Sequence, residues 1–411
     1  MKIKLFEPLQ ILPRFFIWFL IASLVGLLAG SASAIFLYGL DWVTVWRESH
    51  LWILIFLAPA GFVMGWVYHR LGKSVEGGSN LLLDEIHEPK TAIPRRMAPL
   101  ILFATWVTHL FGGSAGREGV AVQMGGCLAD QLGKPFGLSS DDRRVLLMAG
   151  MSAGFGSVFG TPLAGAVFGL EVLAIGRLRY EAIFPCFIAS IIGNAVTLAW
   201  GIHHEQLTLG SVPLVTLPGV FYALIAGVIF GISGMLFAKA IHGIEHVLAK
   251  KIAYSPWRPF LGGATVALLV LLIGTTRYIG LGVPVVNESF VKPLPVWDFA
   301  GKFIFTVLTL GSGFKGGEVT PLFFIGATLG NALSHVLALP LPVLAAMGFV
   351  AVFAGASNTP LACTILAMEV FGSEIGVYAG IACVVSYLFS GHAGIYHSQQ
   401  IGHLKTPPKS S

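Results

Sequence analysis

Charged residues are scarce in this chain of 411 residues. Asp, Glu, Lys and Arg together make up 11% of it, whereas a soluble globular domain carries about a quarter. Several apolar runs approach or reach the roughly 20 residues that span a bilayer. These runs are Ile17–Gly39, Leu51–Val67, Gly219–Ala238, Leu261–Ile273 and Ile375–Phe389. The composition excludes a soluble protein and predicts an all-α, polytopic membrane protein.

Cysteine is also rare, and the four residues present lie in apolar segments without a C-x-x-C or histidine-linked spacing. They are Cys127, Cys186, Cys363 and Cys383. Free cysteine behaves as a small hydrophobic residue, so we expect four buried thiols and neither a metal site nor a cofactor. The chain also has no H-E-x-x-H motif and no paired aspartates in facing apolar helices. A membrane-embedded enzyme is therefore disfavoured.

Basic residues concentrate in three places, Lys2–Arg14, Lys239–Arg258 and Lys405–Lys409. Segments rich in Lys and Arg stay on the cytoplasmic side of a membrane, so both termini are expected in the cytoplasm. The apolar run after Arg14 is long and lacks a clear cleavage site, which predicts a first membrane helix that is retained. We expect a multi-pass protein of the bacterial inner membrane, and nothing in the charge pattern suggests binding to nucleic acid.

Two parts of the chain resemble each other. Phe159–Val172 and Ser357–Val370 both contain T-P-L-A, then six small or apolar residues, then Glu-Val. Transporters built from such repeats bind their substrate near the bilayer midplane, where the halves meet. We predict a single membrane domain in which the two halves form an inverted repeat. The domain comprises residues 1–411. Its halves are residues 12–238 and 259–396, which are joined by a cytoplasmic linker at 239–258 and followed by a short cytoplasmic tail at 397–411.

Several predicted helices are too short to cross a bilayer alone. They are Asn80–Glu88, Val120–Gly133, Pro162–Ile175 and Pro321–Leu337. The N-terminus of a helix has unpaired N–H groups and a partial positive charge, so it favours anions. Irregular backbone at membrane depth is tolerated only around a cavity. We predict many tilted and re-entrant helices, of which the short ones meet at an anion site.

Two glycine-rich loops about 200 residues apart each place a glutamate between apolar segments. The first loop is Gly116–Gly126, with Glu118, and the second is Gly316–Pro321, with Glu318. A carboxylate at membrane depth is costly and usually has a function in transport. The two loops therefore indicate an anion transporter that handles protons.

Over nearly its whole length the chain resembles the CLC family of anion channels and proton-coupled antiporters. The loop Gly116–Gly119 is similar to the family's gating-glutamate loop, with Val120 where proline is usual. Gly311–Pro321 stands where chloride-type members carry G-G-x-F-x-P. Tyr396 resembles the tyrosine near the inner end of the anion path. The resemblance implies the CLC fold and a homodimer in the lipid bilayer, with one pathway per subunit.

Three departures from the chloride-type pattern resemble the fluoride-exporting branch, the CLC-F fluoride/proton antiporters. Asn80 replaces the serine of the G-S-G-I-P motif, which contacts the central anion in chloride-type members. Val172 stands at the position of the proton-transferring glutamate of many exchangers. Glu318 and Thr320 stand where chloride-type members have apolar residues. The resemblance therefore implies export of fluoride in exchange for protons, with selectivity over chloride.

Fluoride is small and strongly hydrated, so its site requires compact, directed donors. Thr320 offers a hydroxyl, Asn80 an amide NH₂ and Tyr396 a phenol, and the weakly positive edges of aromatic rings are further candidates. We expect Glu118 to be a gate that occupies the path when ionised and becomes neutral when protonated. The predicted gating and proton-transfer residues are Glu118 and Glu318. The predicted anion-binding residues are Asn80, Thr320, Tyr396, Gly116, Arg117, Gly119 and Val319, and the aromatic candidates are Phe314, Phe323 and Phe324.

Structural roles stay open for some of these residues. Lys315 could neutralise Glu118 or Glu318 in an ion pair, and Arg117 is a further partner for Glu118. Thr320 precedes a proline and is a common helix-start residue. A structural alternative for Tyr396 is the role of an aromatic side chain at the membrane interface, where such residues are enriched.

Other acidic residues are assigned to structure. Glu171 and Glu369 end matching helices, which favours a helix-end role over a proton relay. Asp84, Glu85 and His87 lie in a charged stretch that we interpret as a solvated loop or vestibule. The alternative functions are a chloride/proton antiporter and a passive chloride channel of the same fold. The missing serine counts against both.

Overall fold

The computed structural model describes residues 7–204 and 207–405, and these fold almost entirely into α-helices. The helices are α1 (Glu7–Ser49), α2 (Leu57–Val67), α3 (Ser79–His87), α4 (Met97–Leu110), α5 (Glu118–Gly133), α6 (Ser140–Phe159), α7 (Pro162–Glu171), α8 (Ile183–Ala199), α9 (Leu217–Lys251), α10 (Trp257–Ile273), α11 (Val283–Ser289), α12 (Asp298–Gly311), α13 (Val319–Leu333), α14 (Leu341–Ser357), α15 (Pro360–Phe371) and α16 (Gly376–Phe389). Two short strands, β1 (Ala174–Ile175) and β2 (Gln400–Ile401), pair in parallel. The predicted all-α fold is confirmed.

Helices of very different length make up the membrane domain. Four stretches are long and apolar enough to cross a bilayer: Leu12–Ser49, Leu51–His87, Tyr180–Ala199 and Leu217–Lys251. The re-entrant candidates α5 and α13 are almost completely buried, whereas many apolar side chains of α1 and α10 are exposed on the outside. An apolar exterior matches a lipid environment, since hydrocarbon chains solvate such side chains. The termini predicted to be cytoplasmic fall partly on residues 1–6 and 406–411, which lie outside the described residues.

The two halves repeat the same order of helices. The segment α4–α7 has helices of 14, 16, 20 and 10 residues, and α12–α15 has helices of 14, 15, 17 and 12 residues. Helix α1 packs on α6 and α8, as α9 packs on α14 and α16. The predicted repeat is therefore visible in the packing as well as in the T-P-L-A segments.

The connection between the halves differs from the prediction. Residues 239–251 are the end of α9, so the predicted linker at 239–258 is mostly helix and only residues 252–256 connect α9 to α10. Because α9 packs on α14 and α16, the order of helices groups α9 with the second half. The basic side chains that suggested a loop belong to a helix that continues past its apolar part. Long Lys side chains allow this because their charged ends reach water.

Glycine contacts hold the short helices of both halves against their neighbours. A Cβ added to Gly125 of α5 would lie 2.2 Å from the carbonyl oxygen of Gly150 in α6. At the equivalent contact, a Cβ on Gly326 of α13 would lie 2.0 Å from the carbonyl oxygen of Gly348 in α14. Small residues let helix backbones approach closely, as in other membrane proteins. These contacts fix the positions of α5 and α13, whose first turns carry the predicted site.

Two glutamates tie the halves together by reciprocal helix capping. Glu171, at the end of α7, accepts two backbone N–H groups from the first turn of α15, at 3.0 and 2.8 Å. Glu369, near the end of α15, accepts two from the first turn of α7, at 2.9 and 2.7 Å. Each carboxylate thus satisfies N–H groups that have no partner within the helix. The predicted helix-end role of both glutamates is confirmed. The N-terminus of α7, predicted to face the anion, is instead occupied by Glu369.

Glu85 is not in a solvated loop, contrary to the prediction. It is buried, and its carboxylate pairs with Arg143 at 2.8 Å and accepts the backbone N–H groups of Lys90 and Thr91. Arg143 also pairs with the buried Asp130 at 2.6 Å. Arg143 lies 58 positions from Glu85 and 13 from Asp130, and no motif links the three residues, so their ion pairs were not visible in the sequence. The four cysteines are buried and free, as predicted.

Candidate functional site

The two glycine-rich loops cross and hydrogen-bond to each other. The N–H of Gly116 donates to the carbonyl oxygen of Gly317 at 2.6 Å, and the N–H of Gly317 donates to that of Gly116 at 2.9 Å. A Cβ on Gly116 would lie 2.8 Å from Cδ of Pro321 and 2.9 Å from Oγ1 of Thr320. A residue with a side chain would push the loops apart. The glycines therefore bring the first turns of α5 and α13 into direct contact.

Glu118 lies where the two helix N-termini meet, and its side chain is fully buried. Its Oε2 accepts the hydroxyl of Thr320 at 2.6 Å and the backbone N–H of Thr320 at 3.1 Å. The backbone N–H of Arg117 donates to the same oxygen at 3.3 Å. Three donors from two halves thus converge on one negatively charged oxygen. These donors hold the carboxylate of Glu118 between the two helix N-termini.

The second carboxylate oxygen of Glu118, Oε1, has different surroundings from the first. Oε1 is buried and forms no hydrogen bond to the residues that the structure describes. Nε of Arg117 lies 3.5 Å from Oε1 and, among the described residues, also has no hydrogen-bond partner. Arg117 is therefore a close charge without a directed hydrogen bond. The two oxygens of this carboxylate therefore differ, since only Oε2 accepts hydrogen bonds from the described residues.

Lys315 does not provide the ion pairs that the sequence left open. Within residues 7–204 and 207–405 it forms no ion pair with Glu118 or Glu318, and its ammonium group lies over the ring of Tyr68, 4.6 Å from the centroid. Helix α13 begins at Val319, so Lys315 and Glu318 do not share a helical face. Among the described residues Glu318 therefore has no salt bridge to Lys315, although the charge of Lys315 still acts on it.

Glu318 precedes α13 directly but does not cap it with its side chain. Its Oε2 is 3.6 Å from the position that a Cβ on Gly119 would take, so it lies against the first turn of α5. Val319, at the start of α13, is buried and offers only its backbone to an ion. Glu318 therefore lies next to the loop crossing.

Asn80 and Tyr396 belong to a second group near the first. Oδ1 of Asn80, in the first turn of α3, accepts the backbone N–H of Ser398 at 3.1 Å. Asn80 thus uses its acceptor in this contact, and its NH₂ group forms no hydrogen bond to the residues that the structure describes. The segment that follows α16 is thereby held against α3.

Tyr396 is buried rather than exposed at a membrane interface, which argues against the interfacial alternative. Its ring makes an edge contact with that of Phe168 at a centroid distance of 6.4 Å. Tyr396 is close enough to Glu118 and Glu318 for their charges to act on its hydroxyl. The two groups of predicted residues therefore lie along one electrostatically connected region, although no direct hydrogen bond joins them among the described residues.

A cavity of about 1000 Å³ leads to the crossing of the loops from one side. Arg117, Thr320 and Phe323 line it, so one of the three aromatic candidates borders an open path. The other two do not line this cavity: Phe324 lies under the ammonium group of the buried Lys302, and Phe314 lies against α2 near Gly61.

The cavity is lined by charged residues that the sequence analysis missed. Arg47 and Arg277 line it together with His204 and several acidic side chains. Arg277 is held by Asp298 at 2.8 Å, whereas Arg47 donates to the carbonyl oxygen of His109 at 3.0 Å. These residues come from distant parts of the chain and belong to no motif. Only an excess of arginine in otherwise apolar surroundings could have indicated them.

Comparisons with known proteins agree with this geometry. A protein of Pseudomonas syringae pv. tomato named "Chloride/fluoride channel protein" is 56% identical over 405 residues, which cover 97% of this chain and 90% of that protein. The crystal structure of a CLC-type fluoride/proton antiporter is similar with a TM-score of 0.92 and 36% identity, covering 94% of this chain and 98% of that chain. An H(+)/Cl(−) exchange transporter of Cronobacter sakazakii is 28% identical over 382 residues, covering 85% of this chain and 81% of that protein.

The family model described as "Voltage gated chloride channel" matches residues 60–391, which is most of the chain. The fold also agrees with a slow cyanobacterial Cl⁻/H⁺ antiporter, at a TM-score of 0.80 and 21% identity. The crossing loops, the reciprocal caps and these matches lead to one conclusion: this chain belongs to the voltage-gated chloride channel family, the CLC family.

Proposed function

We propose that this protein is a secondary transporter that exports fluoride in exchange for protons and selects fluoride over chloride. The observation that carries the proposal is the convergence of three donors on Oε2 of Glu118. A single fluoride ion accepts hydrogen bonds as a carboxylate oxygen does and fits donors this closely spaced. The names of the Pseudomonas syringae relative and of the fluoride/proton antiporter support fluoride as the ion.

Exchange follows from competition for these donors. The ionised Glu118 and a fluoride ion cannot both accept the hydroxyl and N–H of Thr320. A proton that binds to Glu118, at the unpaired Oε1, removes the charge that holds the carboxylate there. Fluoride then takes over the donors, and its release lets the carboxylate return. One glutamate in two states thus links the movement of the anion to that of a proton.

Glu318 is proposed as the second proton-handling or fluoride-handling group. Val172, at the position of the exchangers' glutamate, cannot carry a proton, and its backbone carbonyl accepts Nε2 of Gln399 at 2.9 Å. Glu318 lies at the loop crossing and forms no salt bridge among the described residues, so it can supply the missing carboxylate. Asn80 and Tyr396 are proposed to bind the anion at the end of the path near α3. Gly116, Gly119 and Val319 contribute the backbone of the crossing.

We further propose a homodimer in the bacterial inner membrane, with one pathway per subunit and both termini in the cytoplasm. The support is the resemblance to the CLC family and the distribution of basic residues. A chloride/proton antiporter is the alternative, favoured by the Cronobacter sakazakii relative. Selectivity therefore has to be measured together with coupling.

The test is ion efflux from liposomes that contain the purified protein and either fluoride or chloride. Fluoride loss with proton uptake and little chloride loss is expected, and Glu118→Gln is expected to abolish the coupled exchange because the amide cannot bind the proton. Glu181→Gln is the matched control, since Glu181 is exposed and, among the described residues, forms an ion pair with Arg179 and none with a residue of the site. Proton-linked fluoride flux that survives Glu118→Gln would refute the gate. Chloride efflux as fast as fluoride efflux would refute the selectivity.

A further inference from the structure

Three potential metal ligands come together outside the site described above. His242 and Glu245 lie three residues apart in α9 and therefore on the same face of that helix. His397 follows Tyr396 in the segment after α16. One ligand atom from each residue lies within 4.8 Å of the ligand atoms of the other two. No sequence spacing indicated this cluster, because His397 lies more than 150 positions after the other two residues.

The hydrogen bonding of His242 prepares it as a ligand. Its Nε2 lies 2.9 Å from the carbonyl oxygen of Gly394, and a carbonyl only accepts, so Nε2 carries the hydrogen. Nδ1 is then an unprotonated acceptor, and it is buried without a partner among the described residues. Histidine ligands typically donate their other N–H to a carbonyl or carboxylate in this way, which fixes the ring and its tautomer.

The other two side chains are exposed and free to adjust. Glu245 has no ion pair or hydrogen bond within residues 7–204 and 207–405, so its charge is available. The rings of His242 and His397 lie 3.6 Å apart with an angle of 40° between their planes. Ligand atoms at about 2.1 Å from a tetrahedral zinc ion are about 3.4 Å apart, so a rotation of the exposed His397 ring and a small movement of Glu245 suffice.

We propose that His242, Glu245 and His397 form a binding site for a divalent transition-metal ion such as Zn²⁺. Two imidazoles and one carboxylate suit zinc and related ions, whereas magnesium and calcium prefer oxygen ligands alone. Three protein ligands leave a fourth position to water. The site is therefore one for an exchangeable ion, in contact with the solvent.

The proposed metal site lies next to a segment that contributes to the proposed transport path. A metal ion there would fix the segment Gly394–His397 to α9, and this segment contains Tyr396. We infer that bound zinc inhibits transport. This consequence rests on the proposed function, whereas metal binding itself does not.

Calorimetric titration of the full-length protein in detergent with ZnCl₂ tests the site. One zinc ion per chain is expected, with no binding of MgCl₂. His242→Gln, His397→Gln and Glu245→Gln are each expected to weaken binding by at least about tenfold, which is about 1.4 kcal/mol. His335→Gln is the control, because His335 is an exposed histidine in a different part of the fold. Glu245→Gln is the safest variant for folding, since this side chain is exposed and forms no hydrogen bond or ion pair within residues 7–204 and 207–405.

Different outcomes test the metal site and its effect on transport. Failure of the wild-type protein to bind zinc, or equal binding by all three variants, would overturn the site. Zinc inhibition of fluoride efflux that is lost in Glu245→Gln would support the link to the pathway. Zinc binding without any effect on fluoride efflux would overturn that link. Because the titration needs no transport, it decides on the site even if the protein carries no fluoride.

Discussion

Replacement of Thr320 by valine removes one donor from the proposed fluoride site and preserves the shape of the side chain. In the structure, the hydroxyl of Thr320 donates to Glu118 at 2.6 Å, while the backbone N–H of the same residue donates independently. Thr320→Val therefore leaves two of the three donors in place. The expected loss is that of one hydrogen bond to a charged group, about 1.5–3 kcal/mol.

The effect of Thr320→Val on fluoride binding is best measured in a variant in which Glu118 does not compete with fluoride for the donors. In the background Glu118→Gln, no carboxylate charge occupies the donors, so fluoride binding reports on the donors directly. Thr320→Val in this background is expected to raise the dissociation constant for fluoride by about 10- to 150-fold, from the energy given above. Titration calorimetry with sodium fluoride on the purified protein measures it.

Two further variants control for packing and for the hydroxyl itself. Thr328→Val changes a buried threonine of the same helix whose hydroxyl donates to the carbonyl oxygen of Phe324 at 2.7 Å, so it should not change fluoride binding. Thr320→Ser keeps the hydroxyl and should retain most of the affinity. An unchanged dissociation constant in Thr320→Val would refute the reasoning. It would mean that this hydroxyl only anchors Glu118 and never contacts fluoride.

Two other predictions concern groups that the structure assigns to stability. Glu171→Gln and Glu369→Gln each replace a charged acceptor of two N–H groups by a neutral one, so each should lower the stability by about 1.5–3 kcal/mol and leave the proton coupling intact. Thermal unfolding in detergent and the liposome assay check these two expectations, and lost coupling in a well-folded variant would instead indicate a proton relay. Arg143→Ala leaves the buried Glu85 and Asp130 unpaired, so it should destabilise the protein by about 3–5 kcal/mol. Arg144→Ala, which affects a more exposed pair, is the control, and equal losses from both would contradict the importance of burial.

The two loops with Glu118 and Glu318 show what a local sequence pattern predicts and what it does not. Glycines around a lone carboxylate indicated Glu118 and Glu318 because such a residue is costly at membrane depth and because glycine leaves the backbone accessible. The pattern did not show that Gly116 and Gly317 pair with each other. It also did not show that Thr320 donates to Glu118, since a contact between residues about 200 positions apart depends on how the two halves cross.

The errors have a similar physical cause. Lys239 and its basic neighbours suggested a loop because hydropathy falls there, but a helix can continue beyond its apolar part. The N-terminus of α7 suggested an anion site because its N–H groups lack partners within the helix. Only the tertiary structure supplies Glu369 as their partner. Local propensity identifies a group that needs a partner and leaves the partner undetermined.

The sequence by itself determined the membrane location, the repeated order of helices, the two intramembrane glutamates and the resemblance to the CLC family. These properties depend on residues that are close together along the chain, because hydrophobicity and helix-end signals act locally. Only the tertiary structure decided that three donors converge on Glu118, that Glu171 and Glu369 cap each other's helices, and that His242, Glu245 and His397 meet. Such contacts join residues that are distant along the chain, and they follow from the packing of the whole molecule.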